Sequence, residues 1–175
     1  MNTKMNAINW AKEYLPGLTD NYVSNEVIVK GIMVEGVWEY LTNAATWPSY
    51  YSNSSDIKMI NQEDTHLNES TRFFFKTFGF PVDAEVVEYV EPRAGQPGRI
   101  SWHGWVGEVG TAERLDVVHA WLVEELDYGV VRILTQESQI GEPAKELHQA
   151  KPNPMINGHQ DWLDGLVHAA KSFQK

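Results

Sequence analysis

Apolar residues recur along this chain with two periods, and the switches between them mark out its elements. Residues 26–33 concentrate the β-branched Val27, Ile28, Val29 and Ile32, which predicts a strand. A helix is expected over 34–44, where Val37, Trp38 and Leu41 share one face. The aromatic run 46–51, interrupted by Pro48, predicts a second short helical turn packed on the body. Strands follow at 56–62 and, more strongly, at 69–78, where Arg72, Phe74, Lys76 and Phe78 alternate with Thr71, Phe73, Phe75 and Thr77. Gly79-Phe80-Pro81 punctuates that strand, and the next follows at 82–91, ended by the loop 92–98. Further strands are expected at 99–106, 112–126 and 130–140, the last two joined by a short turn at Asp127-Tyr128-Gly129. The chain then reads helical over 142–150, breaks at Pro152-Asn153-Pro154, and closes with a helix over 155–173. There Trp162, Leu166, Ala170 and Phe173 recur at steps of three or four. Ahead of all this, 6–14 is expected to be a short helix stopped by Pro16-Gly17, in an arm packed on the body by Trp10 and Leu15.

The order is one strand, two short helices, six strands and a long terminal helix. Its α+β solution is a single antiparallel sheet of about seven strands with the helices on one face. Strands of this length must twist and curl, which leaves a concave side for the last helix. A length of 175 residues suits one domain with a short appendage, read as an arm over 1–22 and a domain over 23–175. With 14 basic against 24 acidic residues and no basic run, the net charge of -10 argues against nucleic acid as a partner. Zero Cys excludes disulfides, thiolate nucleophiles and Cys-based metal sites, and fits a cytoplasmic protein. The first ten residues lack the apolar run of a signal peptide, so the mature chain is expected to start at Met1, and no stretch reaches membrane-span length. Metalloprotease, nucleophile-elbow, P-loop and dinucleotide motifs are all absent. The six His are scattered without a close pair at ligand spacing, so neither a metal nor a cofactor is expected.

Val37-Trp38-Glu39-Tyr40-Leu41 leading to Trp47-Pro48-Ser49-Tyr50-Tyr51 resembles the START-like (SRPBCC, or Bet v 1-like) superfamily of helix-grip proteins. His119-Ala120-Trp121, Leu134 to Ser138, and His159 to Leu166 are similar to its polyketide cyclase/dehydrase and lipid transport branch. The resemblance covers about 23–173 and implies a curved sheet wrapped around a long C-terminal helix, with a cavity between them for apolar molecules. The breaks at Pro152 and Pro154 depart from an uninterrupted helix and bear on the cavity mouth.

The last hairpin allows a sharper step. A three-residue turn at 127–129 sets Leu126 opposite Val130, Glu124 opposite Arg132, Trp121 opposite Thr135 and His119 opposite Glu137. The face carrying Leu115, Val117, His119, Trp121 and Val123 with Ile133, Thr135, Glu137 and Gln139 is then the better interior face. His119 and Glu137 meet on it. They are either a general acid/base pair, with the carboxylate raising the imidazole pKa and fixing its tautomer, or two buried groups that satisfy one another and pin the sheet. A slip of one residue would separate them. Candidate ligand contacts are Trp121, Thr135, Phe73, Phe75, Trp102, a Tyr50 hydroxyl at the entrance, and Trp162, Leu166 and Ala170 on the terminal helix. Each is equally readable as ordinary core, and aromatics on both faces of the middle strands leave a homodimer surface open. The resemblance therefore implies three roles. One is binding of a small apolar or amphipathic ligand; another is a polyketide cyclase or dehydratase acting through His119 and Glu137. The third is a partner-binding module like the Hsp90 co-chaperone relatives, in which exposed aromatics matter.

Overall fold

The computed structural model describes residues 4–173, so the outermost residues of both the expected arm and the expected domain lie outside it. Seven antiparallel strands form one sheet: β1 (Asn21–Val29), β2 (Ser54–Met59), β3 (Arg72–Thr77), β4 (Phe80–Val90), β5 (Gly98–Val106), β6 (Leu115–Leu126) and β7 (Val130–Ile140). Their order is β1-β7-β6-β5-β4-β3-β2, so everything after β1 is a meander and β1 closes the far edge on β7. Four helices complete the fold: α1 (Val34–Thr42), α2 (Trp47–Tyr50), α3 (Glu142–Gln149) and α4 (Pro154–Ala170). Helix α4 packs against β1, α1 and α2 on the concave side. This is the helix-grip arrangement. Bulges between Ser55 and Lys58 and between Val86 and Glu88 supply local bends that curl the sheet.

Turn chemistry sets the register. Phe78 and Gly79 have φ of 50° and 74°, the pair of left-handed residues that a tight two-residue hairpin demands, and Thr77 therefore faces Phe80. Pro81 lies inside β4 opposite Lys76, so the punctuation expected at 79–81 is confined to the turn. At the last hairpin Leu126 pairs with Val130, Glu124 with Arg132, Trp121 with Thr135 and His119 with Glu137, the register expected from the sequence.

Two expectations are corrected. β1 begins at Asn21, not 26, and ends at Val29, because its early residues pair with β7 from Asn21↔Gln139 onward; the buried polar Asn21 and Asn25 hide that pairing from an apolar pattern. The helix expected over 6–14 is only a 3-10 turn at Lys12–Tyr14. The residues before it are spent on the sheet's outer face: Asn6 donates to Glu124, its carbonyl accepts from Arg132 at 2.8 Å, and Ala7's carbonyl accepts from Arg99 at 2.8 Å. Arg132 also donates to Glu124 and Glu26, at 2.8 and 2.7 Å. The opposite face holds the main core, where Val37, Leu41, Trp47, Phe73, Trp102, Trp121, Ile133 and Leu166 are buried. No helix among the described residues is long and apolar enough to cross a membrane.

Candidate functional site

Aromatic rings fill the middle of the cleft. Trp47, delivered by α2, stacks on Trp102 at 5.5 Å and meets Phe73, Phe75 and Trp162 edge-on, while Tyr51 stacks on Trp162 at 4.6 Å. Trp47's indole N–H donates to the Leu41 carbonyl at 2.9 Å, which holds the ring in place. A large guest space along the whole helix is thus absent among the described residues. An apolar-walled cavity of about 40 Å³ lies at the end of the cleft where the β3–β4 turn, β5, β6, β7, α3 and α4 converge. That is room for a few waters, against roughly 300–1,000 Å³ for pockets that hold drug-sized molecules.

Half-buried Phe78, Phe80, Val106 and Leu147 line the mouth, and buried Phe75, Trp102, Val117, Met155 and Trp162 line the inside. Leu147 and Met155 flank the break around Pro152 and Pro154, so the interruption of the terminal helix is part of this mouth. Phe78 can seat there because residue 158 on α4 is Gly; any Cβ at that position would overlap the Phe78 ring.

The polar end of the cavity is built from three elements. His119 on β6 and Glu137 on β7 come together because they are cross-strand partners on the inner face, and His159 arrives on α4 three residues before Trp162. All three are buried, at 2%, 6% and 2% exposure. The His119 and His159 rings stack 4.5 Å apart at 16°. His119 Nδ1 stands 3.6 Å from Glu137 Oε1, and His159 Nε2 stands 3.8 Å from Glu137 Oε2, both beyond hydrogen-bond range. Bonds to other groups fix the trio from behind. His119 Nε2 and the Thr135 hydroxyl are 2.7 Å apart, and Gln139 donates to Glu137 Oε2 at 2.7 Å. Gln139 in turn accepts from Asn21 at 2.7 Å, and Asn21 from Asn153, whose side chain also caps α4 by accepting from the Met155 amide. His159 Nδ1 is buried without a partner.

Burial governs the protonation of the trio. It pushes the Glu137 carboxyl up to about 8, against the opposing Gln139 hydrogen bond. It pushes His159 down to about 3, and drives His119 well below the ordinary imidazole value with help from His159. Burial thus favours the neutral form of all three groups, a protonated carboxyl facing two unprotonated imidazoles, over an ion pair.

Of the residues singled out from the sequence, His119, Glu137, Phe75, Trp102 and Trp162 line the cavity. Thr135 reaches it through His119. Phe73, Trp121, Leu166 and Ala170 are buried in the core beside it and do not line it. Tyr50 is not at the entrance, because its hydroxyl donates to the Tyr40 carbonyl at 2.9 Å. Although the chain shows no metal-ligand spacing in sequence, the fold brings one possible ligand atom from each of His119, Glu137 and His159 within 4.8 Å of the others. The sequence puts Gln139 on the interior face and His159 in a family-like motif but assigns neither a site role, nor does it single out Phe78, Phe80, Val106 and Leu147 at the mouth; the helical step from His159 to Trp162 is the available signal. Among the described residues the exposed Tyr, Trp or Phe side chains are Tyr22 and Tyr128, which lie beside opposite ends of β7.

A solved structure of the hypothetical protein jhp0584 from Helicobacter pylori is 53% identical, over 97% of this chain and 99% of that one, with a TM-score of 0.92. The protein MLL2253 from Mesorhizobium loti matches at 15% identity over 89% of this chain and 100% of that one, with a TM-score of 0.62. The di-domain ARO/CYC protein BexL, from the BE-7585A biosynthetic pathway, matches at 14% identity and a TM-score of 0.59, over 85% of this chain and 46% of that one. At such identities the last two likenesses show the fold alone. No protein-family model and no curated protein matches the chain.

Proposed function

We propose that this chain, which belongs to one family with the Helicobacter pylori protein jhp0584, is a START-like protein that takes up a compact amphipathic molecule at the α3–α4 end of its cleft. The observation that carries the reading is an apolar-walled cavity ending on three buried polar side chains that make no hydrogen bonds to one another. An apolar part of the guest would pack on Phe75, Trp102 and Val117, and a polar end would satisfy His159 Nδ1 and the Glu137 carboxyl. The small volume argues for a guest smaller than a lipid, or for one that displaces Phe78 and Leu147 as it enters.

Trp102, Trp105 and Trp162 line the pocket, so entry of a guest is expected to change Trp fluorescence. An apolar dye titrated into the protein should give a saturable change, and Val117→Phe, which projects a ring into the space, should weaken it at least tenfold in a folded variant. Protein that carries no extractable small molecule and never responds to the dye would sink the reading.

A second reading is supported by the facing carboxyl and imidazole. A proton donor beside a proton acceptor in one apolar pocket suits acid/base work on a carbonyl, as a cyclase or dehydratase requires. The fold shared with BexL adds analogy alone. Turnover of any carbonyl substrate found for the protein should then drop by 100-fold or more in His119→Ala and Glu137→Gln; unchanged turnover in both rejects it.

A further inference from the structure

We infer that His119, Glu137 and His159 form a binding site for one divalent transition-metal ion, clamped between β6, β7 and α4. The inference deepens the proposed small-molecule pocket and rests on that reading only in placing the ion at the pocket's polar end.

The separations are the first argument. One ligand atom from each residue lies within 4.8 Å of the others, and the carboxylate oxygens stand 3.6 and 3.8 Å from the nearest imidazole nitrogens. Those gaps are too long for hydrogen bonds. They lie just above the roughly 3.3–3.6 Å between two donors that share a zinc-like ion tetrahedrally at bond lengths near 2.0–2.2 Å; because they run to different carboxylate oxygens and the two rings stack at 16°, binding requires the imidazoles to turn their planes toward a common point. The other His–carboxylate contacts differ: His66 and His103 each approach carboxylate oxygens at 2.9 Å, leaving no space for an ion.

The donor set is the second argument. Two imidazoles and one carboxylate are the protein ligands of many catalytic zinc sites and of mononuclear iron sites, which keep further positions open for water or substrate. Here the open side faces the cavity of about 40 Å³, space for a few such waters. The outer contacts are the third. Thr135 holds His119 Nε2 and leaves Nδ1 turned toward Glu137, while Gln139, Asn21 and Asn153 tie the carboxylate back to β1 and the start of α4. Such partners orient metal ligands, and their loss typically weakens metal binding about 10–100-fold. The side chains that meet Glu137 are His119, His159 and Gln139, and the Tyr51 phenol also couples to it electrostatically; no Lys or Arg among the described residues pairs with its carboxylate.

The test uses untagged full-length protein, stripped with a chelator and titrated with Co(II) at neutral pH. The expected result is one visible-absorbing Co(II) per chain, displaced by Zn(II). His119→Ala, Glu137→Gln and His159→Ala should each lose that binding at least tenfold, Gln139→Leu should weaken it, and His66→Ala should leave it unchanged. Because the chain has no Cys, His159→Cys gives a positive signature: an intense near-ultraviolet thiolate-to-cobalt band that wild type lacks. That readout keeps the proposal falsifiable even if an Ala variant fails to fold. No saturable Co(II) binding by wild type, binding that survives in folded trio variants, or a folded Cys variant without the new band would each overturn it. The apolar-dye titration on the stripped protein separates the two claims: a dye response without Co(II) binding removes the ion and keeps the pocket.

Discussion

Between α1 and the β2–β3 connection, His66 sits with one ring nitrogen 2.9 Å from Glu39 and the other 2.9 Å from Asp64, its side chain 44% exposed. At the end of the cleft, His119 and His159 approach Glu137 no closer than 3.6 and 3.8 Å, all three buried. The same residue types behave oppositely. Near water, the two carboxylates, Glu39 foremost, hold the His66 pKa above its ordinary value, so the cluster favours a charged imidazolium. In the interior, desolvation outweighs attraction, drives both imidazoles neutral and leaves the carboxyl protonated. The surface cluster has satisfied itself; the buried one is held open by neighbours that bond its members from behind. That unfinished satisfaction is what marks a site.

The largest expected effect tests whether packing, and not mutual bonding, holds the buried trio. Trp162 touches the His119 ring edge-on at 5.5 Å and is wholly buried. Trp162→Ala should cost about 3–5 kcal/mol in urea denaturation and should also abolish Co(II) binding by freeing His159. A loss below about 1 kcal/mol would mean that the trio is not wedged by the aromatic core.

Next comes the pH dependence of the stripped protein, where the signs of the buried groups differ. Both imidazoles have folded pKa values below the unfolded 6.5, so the unfolded chain binds more protons in acid and stability rises with pH up to about 6.5. Glu137 has a folded pKa of about 8 against 4.5 unfolded, so its contribution is present at low pH and is lost as pH rises toward 8. Between about 4.5 and 6.5 the two His slopes outweigh the single carboxyl. Above 6.5 the carboxyl acts alone within the trio, and Tyr51, the other titratable group facing it, stays protonated with its pKa raised to about 12. Stability should therefore peak near pH 6.5 and fall by about 2 kcal/mol by pH 8. Glu137→Gln should abolish that fall. A wild type whose stability climbs steadily from pH 6 to 8 would show the carboxyl to be ionised, and the contrast with the surface cluster would disappear.

Much of this was legible in the sequence, for reasons that can be named. The Asp127-Tyr128-Gly129 turn and the Glu124–Arg132 pair fix the last hairpin's register, and register alone places His119 against Glu137. His159 was hidden because the inner face of the terminal helix was read from its apolar members, although a His three residues before Trp162 must share that face. The filled cleft was hidden for a different reason: Trp47 rides on a one-turn helix whose docking depends on tertiary contacts, not on a repeating pattern. Likewise, the early start of β1 rests on buried Asn21 and Asn25, polar residues whose burial makes sense only once Gln139 and α4 are in place to bond them.

The smallest expected effect belongs to His66, and it sharpens the contrast from the other side. Its raised folded pKa means that the ion pairs stabilise fully below the unfolded value of 6.5 and fade as pH rises through the folded one. Asp64, whose pKa is lowered first by the His66 amide and then by the ring, keeps its charge throughout that range. His66→Ala should therefore lower the Tm slightly at pH 5.5, less at pH 8.5, and less again in 1 M salt, because exposed pairs are screened. Loss of a buried partner has no such salt dependence. If His66→Ala were to destabilise the protein as much at pH 8.5 and in high salt as at pH 5.5 without salt, its role would be packing and not charge. The difference between the two clusters would then lie in how many atoms each ring touches, not in where the proton sits.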